Sequence, residues 1–291
     1  MTKPIIVITG ATSGLGQLVA LEMAKRGAHL VLTARSKTRS EVTEKMIKES
    51  VPAAEISFFY GDLSSMRDVT RLGQEISSVF TKIDVLINNA GLHGFEQRIT
   101  ADGFSEMMAV NYFAPWLLTH TLEGSLRAAG NAKIINVASE ASRRHGVLKL
   151  PEDLLNTASF TSRGSSEIYG KTKLLNIMFT SELARRWAET GISVHALNPG
   201  FNVTGLGREL WFSSMLKHLL NFFRIGDPRK GAEIIIRLMT DPKYQESSGG
   251  YFNVVTGNPI VPVQPGGERV MENKLWNDTG DILQQKGFVG N

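Results

Sequence analysis

An α/β fold is predicted, a doubly wound parallel sheet of about seven strands with helices on both faces. Three observations lead there. Short β-branched runs alternate with amphipathic stretches along most of the chain. A glycine cluster follows the first run at once. Polar turn motifs then recur just beyond several later runs. Strands that alternate with helices imply a parallel sheet covered on both faces, and right-handed crossovers wind it both ways.

The elements follow in order. Residues 5–8 (IIVI) read as a buried strand, and the stretch after Gly14 reads as a helix carrying Leu18, Val19, Leu21 and Met23, stopped by Gly27. Residues 30–33 form the second strand, and 39–49 a polar helix that ends before Pro52. Residues 56–60, 85–87, 133–137, 193–197 and 250–254 are the remaining strands. Helices are expected over 66–80, 103–127, 167–190 and 228–240. The region 203–226 is irregular and apolar, and the tail after Pro262 is polar and weakly patterned.

The length of 291 residues suggests about two domains. No linker, repeat or low-complexity tract divides the chain, and one sheet absorbs nearly all of it. A single domain over 1–291 is therefore expected, with a substrate lid at about 201–226. Apolar residues make up 42% and charged residues 21%, which argues against disorder. The net charge of +4 comes without any block of like charges, so nucleic-acid binding has no support. Cysteine is absent, which excludes disulfides, thiolate metal sites and cysteine nucleophiles. The histidines, at 29, 93, 120, 145, 195 and 218, show no metal-site spacing, so no metal is expected. No signal peptide or transmembrane run is read, and a cytoplasmic location is expected.

Thr9-Gly10-Ala11-Thr12-Ser13-Gly14-Leu15-Gly16 joins the first strand to the first helix. Glycines there permit a tight turn and close backbone approach to a phosphate, and the helix N-terminus supplies N–H groups and positive dipole. This is a dinucleotide-binding position of a Rossmann-type sheet. An acidic residue often closes the second strand to hold an adenosine 2′-hydroxyl. Here the chain reads Ala34-Arg35-Ser36-Lys37. Arginine pairs with a 2′-phosphate, so NADP(H) is the expected cofactor; a solvated surface arginine is the plainer alternative.

Tyr169 and Lys173, four apart on a helix, share a face. A nearby ammonium should lower the phenol pKa from about 10 and make it a usable acid or base. Ser139 follows the strand ending at Ala138, Asn88-Asn89-Ala90-Gly91 follows another, and Asn198-Pro199-Gly200 a third. All fall at the carboxyl edge of the sheet, where such folds bind ligands. Ser142 competes with Ser139 for the catalytic role; Ser139 lies nearer the strand end.

With these motifs the sequence resembles the short-chain dehydrogenase/reductase family, over roughly residues 5 to 204. The likeness rests on TGATSGLG at 9–16, Asp62-Leu63, NNAG at 88–91, Asn111, Ser139, YGKTK at 169–173 and NPG at 198–200. It implies a catalytic tetrad of Asn111, Ser139, Tyr169 and Lys173. It further implies adenine contacts from Asp62 and Leu63, and a nicotinamide contact from Thr204. Asn89, Ala90, Gly91, Pro199 and Gly200 would also touch the cofactor. Within the family the chain is most similar to the retinol dehydrogenase-like group of NADP(H)-dependent reductases, through residues 169–187, Ala34-Arg35 and a Ser139-to-Tyr169 interval of 30 residues.

Two features depart from that group. The first strand begins at about residue 4, so the membrane anchor of many retinol dehydrogenases is not expected. Residues 143–166 and those after Thr204 match no motif, and substrate selection should lie there. The implied reaction is hydride transfer between the nicotinamide and a small-molecule carbonyl or alcohol. Ser139 would hold the carbonyl oxygen, Tyr169 would exchange the proton, Lys173 would hold the ribose and Asn111 a relay water. Residues 210–223 (LWFSSMLKHLLNFF) read as an apolar lid, an oligomer surface or an interfacial membrane contact. A lid of that kind suits a bulky hydrophobic ketone or aldehyde. The rival from another class is a catalytically idle NADP(H)-binding sensor or scaffold. A homo-oligomer and a monomer both stay open.

Overall fold

The run Ile5–Ile8 forms β1 at the middle of the sheet, because a β-branched segment buried on both faces suits a parallel strand. The computed structural model describes residues 3–199, 228–244, 247–253 and 256–290. The lid segment, Gly200, Thr204 and residue 254 of the expected last strand therefore lie outside the described residues.

The other strands are β2 (His29–Ala34), β3 (Glu55–Tyr60), β4 (Val85–Asn88), β5 (Lys133–Val137), β6 (Ser193–Asn198) and β7 (Tyr251–Asn253). They lie in the order β3-β2-β1-β4-β5-β6-β7, and every pairing is parallel. Val7 sits between Val31 and Leu86 in register. The chain winds outward in both directions from β1, so the loops after β1 and β4 diverge and leave a crevice at the carboxyl edge.

Alternate residues divide the core into two layers. Val7, Val31, Leu86, Ile134 and Val194 face α3 (Met66–Val79), α5 (Ala114–Thr121) and α8 (Ser162–Arg186). Ile6, Ile8, Leu30, Leu32, Ile87 and Ile135 face α1 (Gly14–Lys25), Ile47 of α2 (Lys37–Ser50) and α9 (Pro228–Thr240). Between β4 and β5 also lie α4 (Glu106–Met108) and α6 (Glu123–Ala128), and α7 (Glu152–Leu155) precedes α8.

Two expectations are corrected. The helix over 103–127 is not continuous: α4 runs into a π-helical turn, Ala109–Phe113, before α5. Pro115 explains it. It has no N–H to give the Asn111 carbonyl one turn back, and the turn widens. The side-chain amide of Asn176 on α8 donates to that carbonyl instead, at 2.9 Å.

The tail after Pro262 is also not unpatterned. It carries α10 (Arg269–Gln285), which docks Leu275, Ile282 and Leu283 into the core beside α8. Two polar residues on the docked face, Glu272 and Thr279, hide its period. Both are fully buried and both are paired. Glu272 Oε2 accepts from Arg185 at 2.5 Å, and its Oε1 accepts from the Gly267 N–H at 2.8 Å. The Tyr112 hydroxyl donates to Thr279 Oγ1 at 2.8 Å, since the Thr279 hydroxyl already donates to Leu275 O.

His120 on α5 sits in an aromatic nest of Trp116, Phe179, Trp187 and Trp276. Its Nδ1 donates to the Trp116 carbonyl at 2.7 Å, and its buried Nε2 meets no partner among the described residues. A second proton would have to sit on Nε2 among rings, so burial holds the imidazole down to about 4. Between pH ~6.5 and ~4 the unfolded chain binds a proton here that the native one does not, so stability falls as pH falls. His120→Leu should flatten that acid limb by up to about 3 kcal/mol, read by urea unfolding at pH 7, 5 and 4. Identical slopes for both proteins would show that the native state takes up this proton as readily as the unfolded chain.

Candidate active site

At the crevice the glycine-rich loop is tied to the loop after β4. Thr9 Oγ1 accepts from the Asn89 and Ala90 N–H groups, each at 3.0 Å. The Asn89 amide donates back to Thr9 O at 2.9 Å and Gly10 O at 3.3 Å. Gly10 and Gly14 hold φ of +67° and +58°, conformations that side chains rarely adopt. A Cβ on Gly16 would lie 2.5 Å from Asn89 Nδ2 and 2.7 Å from Gly10 O. Thr12 and Ser13 lead into α1, with Ser13 at its N-cap and Leu15 in its first turn.

Arg35 follows β2, is 62% exposed, and lies 3.8 Å from Asp62 Oδ1. Asp62 is placed by α3: its N–H donates to Asp68 Oδ2 at 2.8 Å, and its own Oδ1 accepts from Ser64 N at 2.9 Å. Leu63 packs against the core layer that holds Val7. Arg35 and Asp62-Leu63 thus share the β2–β3 end of the crevice.

Ser139 follows just beyond β5 and caps a short 3₁₀ turn, Glu140–Arg144, through Oγ accepting from Ala141 N at 3.2 Å. Asn198 at the end of β6 stitches the next loop to it. Its Oδ1 accepts from Glu140 N, and its Nδ2 donates to Glu140 Oε2 at 2.8 Å. Pro199 follows; Gly200 and Thr204 are outside the described residues. The two serines separate cleanly. Ser139 lies beside Tyr169, whereas Ser142 is buried beside Tyr251.

Tyr169 and Lys173 lie on one face of α8, with the ammonium 5.6 Å from the phenol ring centre. Lys173 is buried and donates to Val137 O at 2.9 Å. One electrostatic expectation is corrected here. The Tyr169 phenol is pushed up to about 12, not down, because burial outweighs the opposing effect of the neighbouring Ser139 hydroxyl. Burial also brings the Lys173 ammonium down to about 8. Desolvation opposes both charged forms, and it exceeds their mutual attraction at this distance.

Asn111 sits fully buried in the π-helical turn. Its Oδ1 accepts from Leu92 N at 2.8 Å, and its Nδ2 donates to Leu92 O at 2.9 Å and Thr172 Oγ1 at 3.0 Å. A Cβ on Gly91 would lie 3.3 Å from both Asn111 Oδ1 and Lys173 Nζ. The backbone after β4 thus passes directly over this pair. The described geometry brings Asn111, Ser139, Tyr169 and Lys173 together.

Several supports escaped sequence reasoning. Tyr251 donates to the Ser139 carbonyl at 3.3 Å, and Thr172 and Asn176 brace Asn111. Asn176 had one usable signal: it is polar at a position of α8 whose neighbours Leu174, Leu175 and Ile177 are apolar. A cleft of about 730 Å³ opens elsewhere, lined by Lys149, Glu152, Asp153, Glu167 and Lys171 among others. It includes none of the four clustered residues, and its charges pair internally through Lys171 with Asp153 and Glu167.

Comparison with known proteins settles the family. The sequence model described as short chain dehydrogenase matches residues 4–150. Retinol dehydrogenase 14 of Homo sapiens is 32% identical over 296 residues, covering 96% of this chain and 85% of that one. The chain belongs to the short-chain dehydrogenase family. Its fold is shared by a crystal structure from Mycobacterium paratuberculosis, with TM-score 0.77, 23% identity and coverage of 97% and 94% of the two chains. L-sorbose reductase from Gluconobacter frateurii, solved with NADPH and L-sorbose, gives TM-score 0.67 and 23% identity, covering 90% and 98%. Among the described residues no helix of this dehydrogenase is long and apolar enough to cross a membrane.

The family's nicotinamide dinucleotide fits the residues present. The bare glycine turn ends at the N-terminus of α1, and a side chain at Gly10 or Gly16 would strike Ala90 or Asn89. Gly16→Ala should therefore weaken dinucleotide binding roughly 5- to 150-fold, an overpacking strain of about 1–3 kcal/mol, read by fluorescence titration. Unchanged affinity would mean that the loop yields without cost.

Proposed function

We propose that this dehydrogenase is an NADP(H)-dependent carbonyl reductase or alcohol dehydrogenase acting on a bulky hydrophobic ketone or aldehyde. The observation that carries the reading is the convergence of Ser139, Tyr169 and Lys173 at the carboxyl edge of one sheet. The cofactor supplies the hydride from its nicotinamide. The Ser139 hydroxyl, held at the end of β5, donates to the substrate carbonyl oxygen as negative charge develops there. With its pKa near 12, Tyr169 keeps its proton at neutral pH and is ready to give it from Oη to that oxygen. This protonation state favours reduction. Lys173 stands beside Gly91, where it would hold the cofactor's ribose, and Asn111 keeps the loop after β4 in place.

NADP(H) is preferred because an exposed guanidinium, not a carboxylate, stands directly after β2. The contact from Asp62 leaves most of that guanidinium accessible to a phosphate. An apolar substrate is supported by the composition of residues 210–223 and by the rings of His93 and Phe95 beside Tyr169. A cytoplasmic site of action, in one domain spanning the chain, completes the proposal.

Tyr169→Phe should lower kcat roughly 10²- to 10⁴-fold and leave NADPH affinity within about twofold, the mark of a lost proton donor. Stopped assays of NADPH oxidation with para-nitrobenzaldehyde, decanal and retinal would read it. Activity close to that of the unaltered enzyme would remove Tyr169 from the role. Arg35→Asp should weaken NADPH binding roughly 10- to 100-fold while NADH binding changes less than about threefold. An equal loss for both cofactors would assign Arg35 to packing.

A further inference from the structure

The Tyr169 phenol has a neighbour outside the tetrad. His93, on the loop after Gly91, lies almost parallel to it, with ring centres 4.6 Å apart and planes at 16°. Phe95 packs against His93 in turn, at 4.9 Å and 34°. His93 Nε2 lies 3.2 Å from Ser165 Oγ. The buried Ser165 hydroxyl has one proton, and it goes to Ser162 O at 2.7 Å. Ser165 Oγ must then accept, so His93 Nε2 carries the hydrogen. Ser165, Tyr169 and Lys173 stand four residues apart in succession on α8, and therefore form one stripe. The loop after β4 thus grips α8 one turn before Tyr169 and lays an imidazole on its ring.

We infer that His93 is a positioning residue for Tyr169. The phenol oxygen is at the end of a side chain with two free torsions, and it must meet the reacting oxygen at hydrogen-bond distance. The Ser139 hydroxyl touches Tyr169, but it must also serve the substrate carbonyl. Ring packing therefore has to hold the phenol in place during turnover. His93 provides it face to face, and the bond to Ser165 fixes the imidazole's own orientation. No proton passes between the two rings, because they meet by their faces and Nε2 is engaged by Ser165. The inference rests on Tyr169 being the proton donor.

The test compares kcat and KM for the unaltered enzyme, His93→Ala, His93→Phe, Ser165→Ala and Tyr169→Phe, using NADPH and the best carbonyl of the same panel. His93→Ala should lower kcat ~10-fold, the scale of one aromatic stack, with the KM for NADPH within about twofold. His93→Phe keeps a ring and should recover kcat to within about threefold. Ser165→Ala removes that one bond from the imidazole without removing the ring and should cost about two- to threefold. Melting temperatures close to that of the unaltered enzyme would certify each fold, and His93→Phe and Ser165→Ala carry the test if His93→Ala does not fold. An unchanged kcat in His93→Ala would overturn the inference. So would a His93→Phe enzyme as slow as His93→Ala, since the nitrogen and not the ring would then be needed. If Tyr169→Phe stays active, the proton-donor reading itself fails. If Tyr169→Phe is inactive while His93→Ala is normal, only the positioning role falls.

Discussion

The hydrogen bonds that Thr9 and Asn89 exchange across the crevice hold the rest of the site in register. β1 and β4 are adjacent strands whose following chains leave in opposite directions. Without a tie, the glycine-rich loop and the loop after β4 would be positioned independently. One threonine hydroxyl accepts two N–H groups, and one amide serves two carbonyls. The tie also explains the bare glycines. Gly10 and Gly16 must let Ala90 and Asn89 approach, and Gly91 must pass close to Asn111 and Lys173.

Behind that edge a seam of buried amides and hydroxyls joins the elements that carry the chemistry. Asn88 donates to Thr119 on α5 and to Asn136 on β5, and Asn136 donates to Thr180 on α8. Asn176, one turn back on α8, reaches the carbonyl that Pro115 leaves without a helical donor. A buried polar group without a partner is costly, so these pairings tolerate few alternative registers of α5, β4, β5 and α8. A proline that would weaken an ordinary helix thus fits here, because the widened turn presents Asn111 to both Leu92 and α8.

Burial has a chemical cost at the same place. Removing water raises the phenol of Tyr169 and lowers the ammonium of Lys173, so each is biased toward neutrality. For the proton donor proposed above that bias would be useful, since the phenol would keep its proton until a developing alkoxide takes it. The geometry around the phenol then matters more than its ionisation. Ser139, Tyr251 behind it, and His93 with Ser165 all act on that geometry.

Much of this was legible in the residues. The alternation of runs such as IIVI and KIINV with amphipathic stretches determines a parallel α/β sheet, because strands buried on both faces need apolar, branched side chains. The glycine turn after β1, Arg35 after β2, and Ser139, Tyr169 and Lys173 could be read because each depends on local spacing or on a position at a strand end. The break at Pro115 carried a local signal too, but its partner Asn176 lies 65 residues away. The helix α10 escaped because Glu272 and Thr279 occupy core-facing positions, where Arg185 and Tyr112, far off in sequence, help to satisfy them. The pKa direction of Tyr169 was likewise misjudged from spacing, since desolvation depends on everything packed around a group. Sequence alone thus determined most of the elements, their order and the spacing of the candidate site residues, all set by short-range chemistry. Which buried polar groups find partners, and which ring covers the Tyr169 phenol, was decided by tertiary structure, because those contacts join segments that only the closed sheet brings together.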